Sequence, residues 1–147
     1  MENLLVASTN LPILLPLYLT YLNNDYLTGL SLLFLGIFSF TSHLFENHKH
    51  CMPGFGLSKR ISYILNRLDV LGCIIVGPRL LYFAYINFLI LSWNKILILL
   101  ILLCFNLVSE YDKTTVALKS RYILLHSIWH IGIFMWIYFF LLDWYCN

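Results

Sequence analysis

His126 and His130 stand four residues apart inside a long apolar run of this 147-residue chain. In a helix that spacing puts both imidazoles on one face, where they can share a single metal ion. Helical zinc sites use the same H-x-x-x-H geometry, although here Ser127, Ile128 and Trp129 lie between and none of them is a Glu. His43, one turn beyond Ser39, ends a second apolar run and is the candidate third ligand; Asp69 opens a third run. Three neutral imidazoles bind Zn²⁺ and leave a fourth position for water, which is the pattern of a catalytic site. The ion brings the pKa of that water from its bulk value towards about 7. Asp69 would act as general base and then return the proton to a leaving amine or alkoxide, while Ser39 orients a ligand or the developing oxyanion. The chemistry these residues suggest is hydrolysis of an amide or ester inside a membrane.

Composition sets the solvent in which such a site must be built. Apolar residues make up 61% of the chain and charged residues 11%, against roughly 25% charged in an ordinary soluble domain. A soluble chain of this size has too few polar residues here to cover its surface, so lipid is the expected outer solvent. Disorder needs low hydrophobicity, and a nucleic-acid binder needs a basic stripe that a net charge of +2 spread over separate connections does not make. Cys51, Cys73, Cys104 and Cys146 are widely spaced and form no C-x-x-C pair, which argues against both a disulfide framework and a thiolate zinc knuckle. In an apolar bundle, an ionisable group costs several kcal/mol unless paired or ligated, which makes Ser39, His43, Asp69, His126 and His130 the informative positions.

A span needs about 20 mostly apolar residues. Stretches of that kind run from about Leu4 to Leu22, with a kink expected from Asn10, Pro12 and Pro16, and from about Tyr26 to Leu44. The first lacks a basic start and a small-residue cleavage site, so it reads as retained rather than as a signal sequence. The stretch from Ile61 to Val108 can be cut into two spans, Ile61 to Leu91 with a kink at Pro78 and Asn94 to Val108, or into three pieces. Charge decides. Two spans put Lys49, Lys59, Arg60 and Arg67 on the same side as Lys113, Lys119 and Arg121, as the positive-inside rule requires. The last span runs from about Tyr122 to Leu142. The expectation is an all-α, polytopic membrane helix bundle of five transmembrane helices. It forms a single domain over residues 1–147, with the amino terminus cytoplasmic and the carboxyl terminus, Asp143 to Asn147, outside or lumenal. All three histidines and Asp69 then fall near one membrane face.

Other readings compete. Asp69 can instead pair with Arg67, Arg79 or Asn66. His48, His50 and Cys51 are a second donor group, but they sit in a polar connection marked by Pro53-Gly54, where such residues need no special reason. Glu46 reads as solvated there; closing the site mouth or pairing with Lys49 is the alternative. Trp129, Trp136, Trp144, Tyr138 and Tyr145 read as lining and interfacial anchors. Bis-histidine haem ligation through His43 and His126 or His130 would leave Asp69 and Ser39 without a role. A non-enzymatic membrane protein that keeps the metal site for structure is the alternative from another class.

The pattern Ser39-Phe-Thr-Ser-His43, Asp69 and His126-Ser-Ile-Trp-His130 resembles the CREST superfamily, which includes alkaline ceramidases, adiponectin receptors and GPI-remodelling proteins. Pro53-Gly54, Asp69-Val70-Leu71-Gly72 and the last motif bring it nearest to the branch that holds myomaker and a GPI-specific phospholipase. The resemblance implies a multi-helix bundle with zinc on three His, an Asp-bound water, and hydrolysis of a membrane lipid amide or ester. Family members usually have seven spans, and too few residues separate Asp69 from His126 for three intervening helices. Losing a helix pair preserves the sidedness of the site and leaves the lipid chamber smaller, or completed by another copy in a homo-oligomer. Myomaker's role in membrane fusion shows that this architecture does not by itself fix function.

Overall fold

The computed structural model describes residues 1–87, 91–112 and 115–146, and among them every regular element is helical. Lys113 and Asn147, used above for charge placement and for the carboxyl end, lie outside the described residues. The helices are α1 (Glu2–Ser8), α2 (Leu14–Leu22), α3 (Tyr26–Leu44), α4 (Lys59–Ile86), α5 (Trp93–Glu110) and α6 (Lys119–Cys146). Short 3₁₀ turns at Leu11–Ile13 and Val116–Leu118 precede α2 and α6. With α1 and α2 taken together, five helical segments are long and apolar enough to cross a membrane.

Local sequence explains the boundaries. The α2–α3 turn holds Asn24 at φ 55°, a left-handed conformation that Asn tolerates, and Asp25 then caps α3 by accepting from the Thr28 N–H at 3.1 Å. Ser58 caps α4 in the same way through the Ile61 N–H at 3.4 Å. Pro78 lies inside an unbroken α4. Pro12 behaves differently: the first segment is not one kinked helix but two, separated by a turn at Thr9 and Asn10 and the 3₁₀ turn that contains Pro12. A proline early in a helix lacks only a donor that would be unsatisfied anyway, so the chain restarts there at little cost.

The helices pack as two pairs, α3 against α4 and α5 against α6, with α1 and α2 seated on α3 and α2 reaching across to α6. Leu32, Leu35, Val76, Phe83, Phe134, Ile137, Phe140 and Leu141 form the buried core. One end of the bundle is tied by polar and aromatic contacts. Arg79 reaches Asp25 at 3.4 Å and Thr28 Oγ1 at 3.0 Å, and the Tyr145 hydroxyl donates to Asp25 at 2.9 Å. Lys95 pairs with Asp143, the Trp136 indole donates to the Lys95 carbonyl at 2.9 Å, and Trp144 stacks on Phe83 with ring centres 4.3 Å apart. Trp136, Trp144 and Tyr145 thus join helices to one another. With Arg79 on Asp25 and Arg67 donating to the Tyr63 hydroxyl, the pairing of Asp69 with either arginine does not form.

The register between α3 and α4 depends on Gly72. A Cβ added there would lie 2.9 Å from the Leu35 Cα, a backbone atom that cannot step aside, whereas a Cβ on Gly77 would meet nothing within 4 Å. Small residues let helices approach this closely. Gly72→Ala is expected to destabilise the protein by about 1–3 kcal/mol, the usual cost of overpacking, while Gly77→Ala is neutral or slightly stabilising. Unfolding of both variants in detergent micelles checks the contrast.

Candidate metal centre

All of the candidate residues lie at the end of the bundle opposite the Asp25 cluster. His43 is in the last turn of α3, Asp69 in the first half of α4, and His126 and His130 in the first half of α6. The break between α1 and α2, the end of α5 and the connection from Phe45 to Ser58 close around them. His43, His126 and His130 are all buried, and one ligand atom from each lies within 4.8 Å of the others. Their ring centres are 4.5 to 4.7 Å apart.

Hydrogen bonding fixes which nitrogen each ring presents. At His43, Nδ1 lies 3.3 Å from Glu46 Oε2. A carboxylate only accepts, so Nδ1 carries the proton and Nε2 the lone pair. At His126, Nδ1 is 3.0 Å from Ser109 Oγ. That hydroxyl donates to the Asn106 carbonyl at 2.7 Å, which leaves it as the acceptor from His126. At His130, Nδ1 is 3.1 Å from Thr9 Oγ1, which spends its own proton on the Val6 carbonyl at 2.6 Å and is left as an acceptor; the Asn10 amide nitrogen, itself a donor and engaged with the Ala7 carbonyl at 3.2 Å, is further away at 3.3 Å. His43 and His126 are therefore assigned as the Nδ1–H tautomer with Nε2 turned inward, and the shorter Thr9 contact assigns His130 the same way. The Nε2 atoms of His43 and His126 are 3.3 Å apart, two lone pairs facing each other with no proton between. A cation between them removes that repulsion, and a donor set of three inward imidazoles suits zinc and similar first-row metals.

Asp69 Oδ2 is 3.7 Å from His43 Nε2, and the Ser39 hydroxyl is directed at the same carboxylate. The sequence-derived set is thus gathered in one place. Beside it is a buried ionic group in which Glu46 makes the pair with Lys49 that stood as the alternative to solvation. Glu46 is fully buried rather than solvated: it accepts a hydrogen bond from the Tyr122 hydroxyl and lies 3.2 Å from Lys49 Nζ, which also binds Glu110 at 2.9 Å. Burial alone would raise the Glu46 carboxyl, but the Lys49 ammonium and the His43 contact outweigh it and hold the group well below the usual carboxylate range. Burial likewise works against the Lys49 charge, and Glu46 and Glu110 more than restore it. His48 and His50 bond elsewhere, to Ser62 Oγ at 2.7 Å and to the Thr115 carbonyl at 3.2 Å, and do not join the three-histidine group.

Thr9, Ser109, Glu46 and Tyr122 were not singled out as supports of the site by spacing. A signal exists for the first: Thr9-Asn10 directly before Leu11-Pro12 in an apolar run marks a helix break, and backbone broken in such a run is tolerated where it lines protein or a cavity. Asn3 fastens that segment, donating to the His43 and Glu46 carbonyls at 2.9 and 2.7 Å.

One cavity reaches the histidines and a second adjoins it. One, of about 330 Å³, is lined by Ser39, Asp69, His43, His126 and His130 and extends to Tyr63, Asn66 and Arg67. The other, of about 490 Å³ and almost wholly apolar, lies between α4 and α6 with Leu99 and Leu103 of α5 on its wall. They share Leu35, Cys73, Trp129, Ile133 and Ile137.

Fold and site together define an all-helical chain with five segments able to cross a membrane and a buried three-histidine centre at one end of the bundle. The chain is 48% identical over 147 residues to "Uncharacterized protein L282" of Acanthamoeba polyphaga mimivirus, an alignment covering 96% of this chain and 97% of that protein, and it belongs to the same family. No family model and no solved structure matches it.

The tautomer assignment can be measured. Thr9→Val, which removes the acceptor for His130 at nearly constant volume, is expected to weaken zinc binding roughly 10- to 100-fold, as loss of an outer-shell partner does, and Thr9→Ser to restore it. Competition with a chromophoric chelator on detergent-purified protein gives the affinities; equal affinity in Thr9→Val and wild type contradicts the assignment.

Proposed function

We propose that this protein is a membrane-spanning, zinc-dependent hydrolase of a lipid amide or ester, CREST-like in its site. The observation that carries the reading is the meeting of three inward Nε2 atoms with the Asp69 carboxylate where a polar cavity joins an apolar one. His43, His126 and His130 would hold the ion. When bound, zinc supplies Lewis acidity, which polarises a carbonyl and makes a water acidic near neutral pH.

The chain's own residues account for the remainder. Asp69 Oδ2 accepts the proton of the attacking water and passes it to the leaving oxygen or nitrogen. Ser39 orients that carboxylate. The Nδ1 contacts of Glu46, Ser109 and Thr9 keep the imidazoles in place. Apolar side chains around Trp129, Ile133 and Trp136 receive a hydrocarbon chain and exclude water from the scissile bond. Exposed apolar side chains such as Leu30, Ile74, Leu97 and Leu107 suit a lipid surround. Lys49, Lys59, Arg60, Lys119 and Arg121 gather at the site end, which favours a cytosolic site with a cytosolic amino terminus.

A non-catalytic protein with the same metal for structure is the second reading, favoured by the single helix α5 between the Asp69 and His126 helices, which leaves a small chamber. Asp69→Asn separates the two. The expected result is intact zinc content and folding with turnover of ester- and amide-linked fluorescent lipids in micelles reduced by at least roughly 10²-fold. Turnover unchanged by the substitution, or none by the zinc-loaded wild type on either linkage, would falsify the hydrolase reading.

A further inference from the structure

The α4 wall of the cavity is graded along its length. Tyr63, Asn66, Arg67, Val70 and Cys73 recur at three- and four-residue spacing and all line the histidine cavity, and Val76 continues the same wall into the apolar one. The order from the loop end is aromatic and polar, then cationic, then Asp69, then apolar. Such a wall matches an amphiphile whose headgroup lies at Arg67, whose scissile bond lies at Asp69 and whose chain lies beyond.

The two cations on the cavity differ. Lys49 is neutralised by Glu46 and Glu110. Arg67, among the described residues, has no carboxylate partner; its guanidinium lies over the Tyr63 ring at 4.7 Å and donates to that hydroxyl. A planar guanidinium resting on an aromatic face keeps N–H groups available for two oxygens of one anion. Asn66, next to it on the cavity wall, adds amide donors. Arg67 and Asn66 precede Asp69 by two and three residues, a rise of about 3 to 4.5 Å along α4, and the Arg67 guanidinium reaches back further still over Tyr63, which gives the scale of the glycerol unit between an acyl ester and a phosphate. A neutral lipid amide such as a ceramide offers Arg67 no counter-charge.

We infer that Arg67 and Asn66, on the Tyr63 ring, form a subsite for the phosphate of an anionic-headgroup glycerolipid, which makes a phosphate-bearing ester rather than a neutral lipid amide the substrate class. This deepens the hydrolase reading and rests on it for the placement of the scissile bond. Binding can nonetheless be tested without turnover. Zinc-loaded, detergent-purified protein is titrated with two uncleavable ether lipids, dialkylglycerol phosphate and dialkylglycerol, with inorganic phosphate as competitor. Wild type is expected to bind the phosphate-bearing probe roughly tenfold more tightly than the neutral one, the scale of one charged hydrogen-bond pair. Arg67→Gln should lose that preference with unchanged zinc content, and Arg67→Lys should keep part of it. Inorganic phosphate alone should not displace the lipid.

Equal binding of the two probes by wild type would overturn the inference and reduce Arg67 to an interfacial cation. A preference surviving in Arg67→Gln would overturn it as well. Displacement by inorganic phosphate at similar concentration would make the subsite one for the free ion and refute the lipid assignment. A wild type that shows the preference yet cleaves no ester lipid leaves the subsite standing and removes the hydrolase reading. One that cleaves neutral and anionic lipids alike does the reverse.

Discussion

The Nε2 atoms of His43 and His126 face each other at 3.3 Å, and because both Nδ1 protons point outward neither ring has a proton to place between them. Two lone pairs at that distance repel unless a cation sits with them, and the repulsion is felt strongly in an interior where little water screens it. The arrangement persists only because the outward side of each ring is held: by Glu46, by Ser109 and by Thr9. Those three acceptors come from the connection after α3, the end of α5 and the break after α1. Most of the chain therefore has a part in aiming one nitrogen or another.

This requirement explains features that packing alone would not select. The first apolar segment breaks at Thr9 and Asn10, sacrificing continuous helical hydrogen bonding, and the break supplies the acceptor for His130. Glu46 and Lys49 are buried as ions, which is costly unless each charge is matched and hydrogen-bonded. Here Glu46 has Lys49, Tyr122 and His43, and Lys49 has a second carboxylate in Glu110. The ionic group sits where it fixes the imidazole of His43. At the other end of the bundle Asp25, Arg79 and Tyr145 make a comparable tie, so the two helix pairs are pinned at both ends with the cavities between.

The helices themselves were legible because apolar run length and punctuation are properties of the local chain. Tyr26–Leu44 begins and ends where the apolar run does, and the stretch whose division rested on Lys and Arg placement forms two segments, Lys59–Ile86 and Trp93–Glu110. The candidate site was legible for a related reason: His at a spacing of four, and polar groups near the ends of apolar runs, are local signals. The supports were not. Ser109 and Tyr122 are ordinary residues at their positions, and their meaning arises only when α5 and α6 pack. Glu46 lies in a segment rich in charge, where a carboxylate needs no partner, and its burial follows from Asn3 and α1 folding over it. Long-range closure of that kind leaves no periodicity to read.

Zinc K-edge X-ray absorption on the purified protein bears most directly on the three imidazoles. The account expects stoichiometric zinc with a nitrogen and oxygen first shell at about 2.0–2.1 Å and the outer-shell scattering of three rings. Protein that holds no zinc, or zinc bound by sulfur at about 2.3 Å, would contradict it.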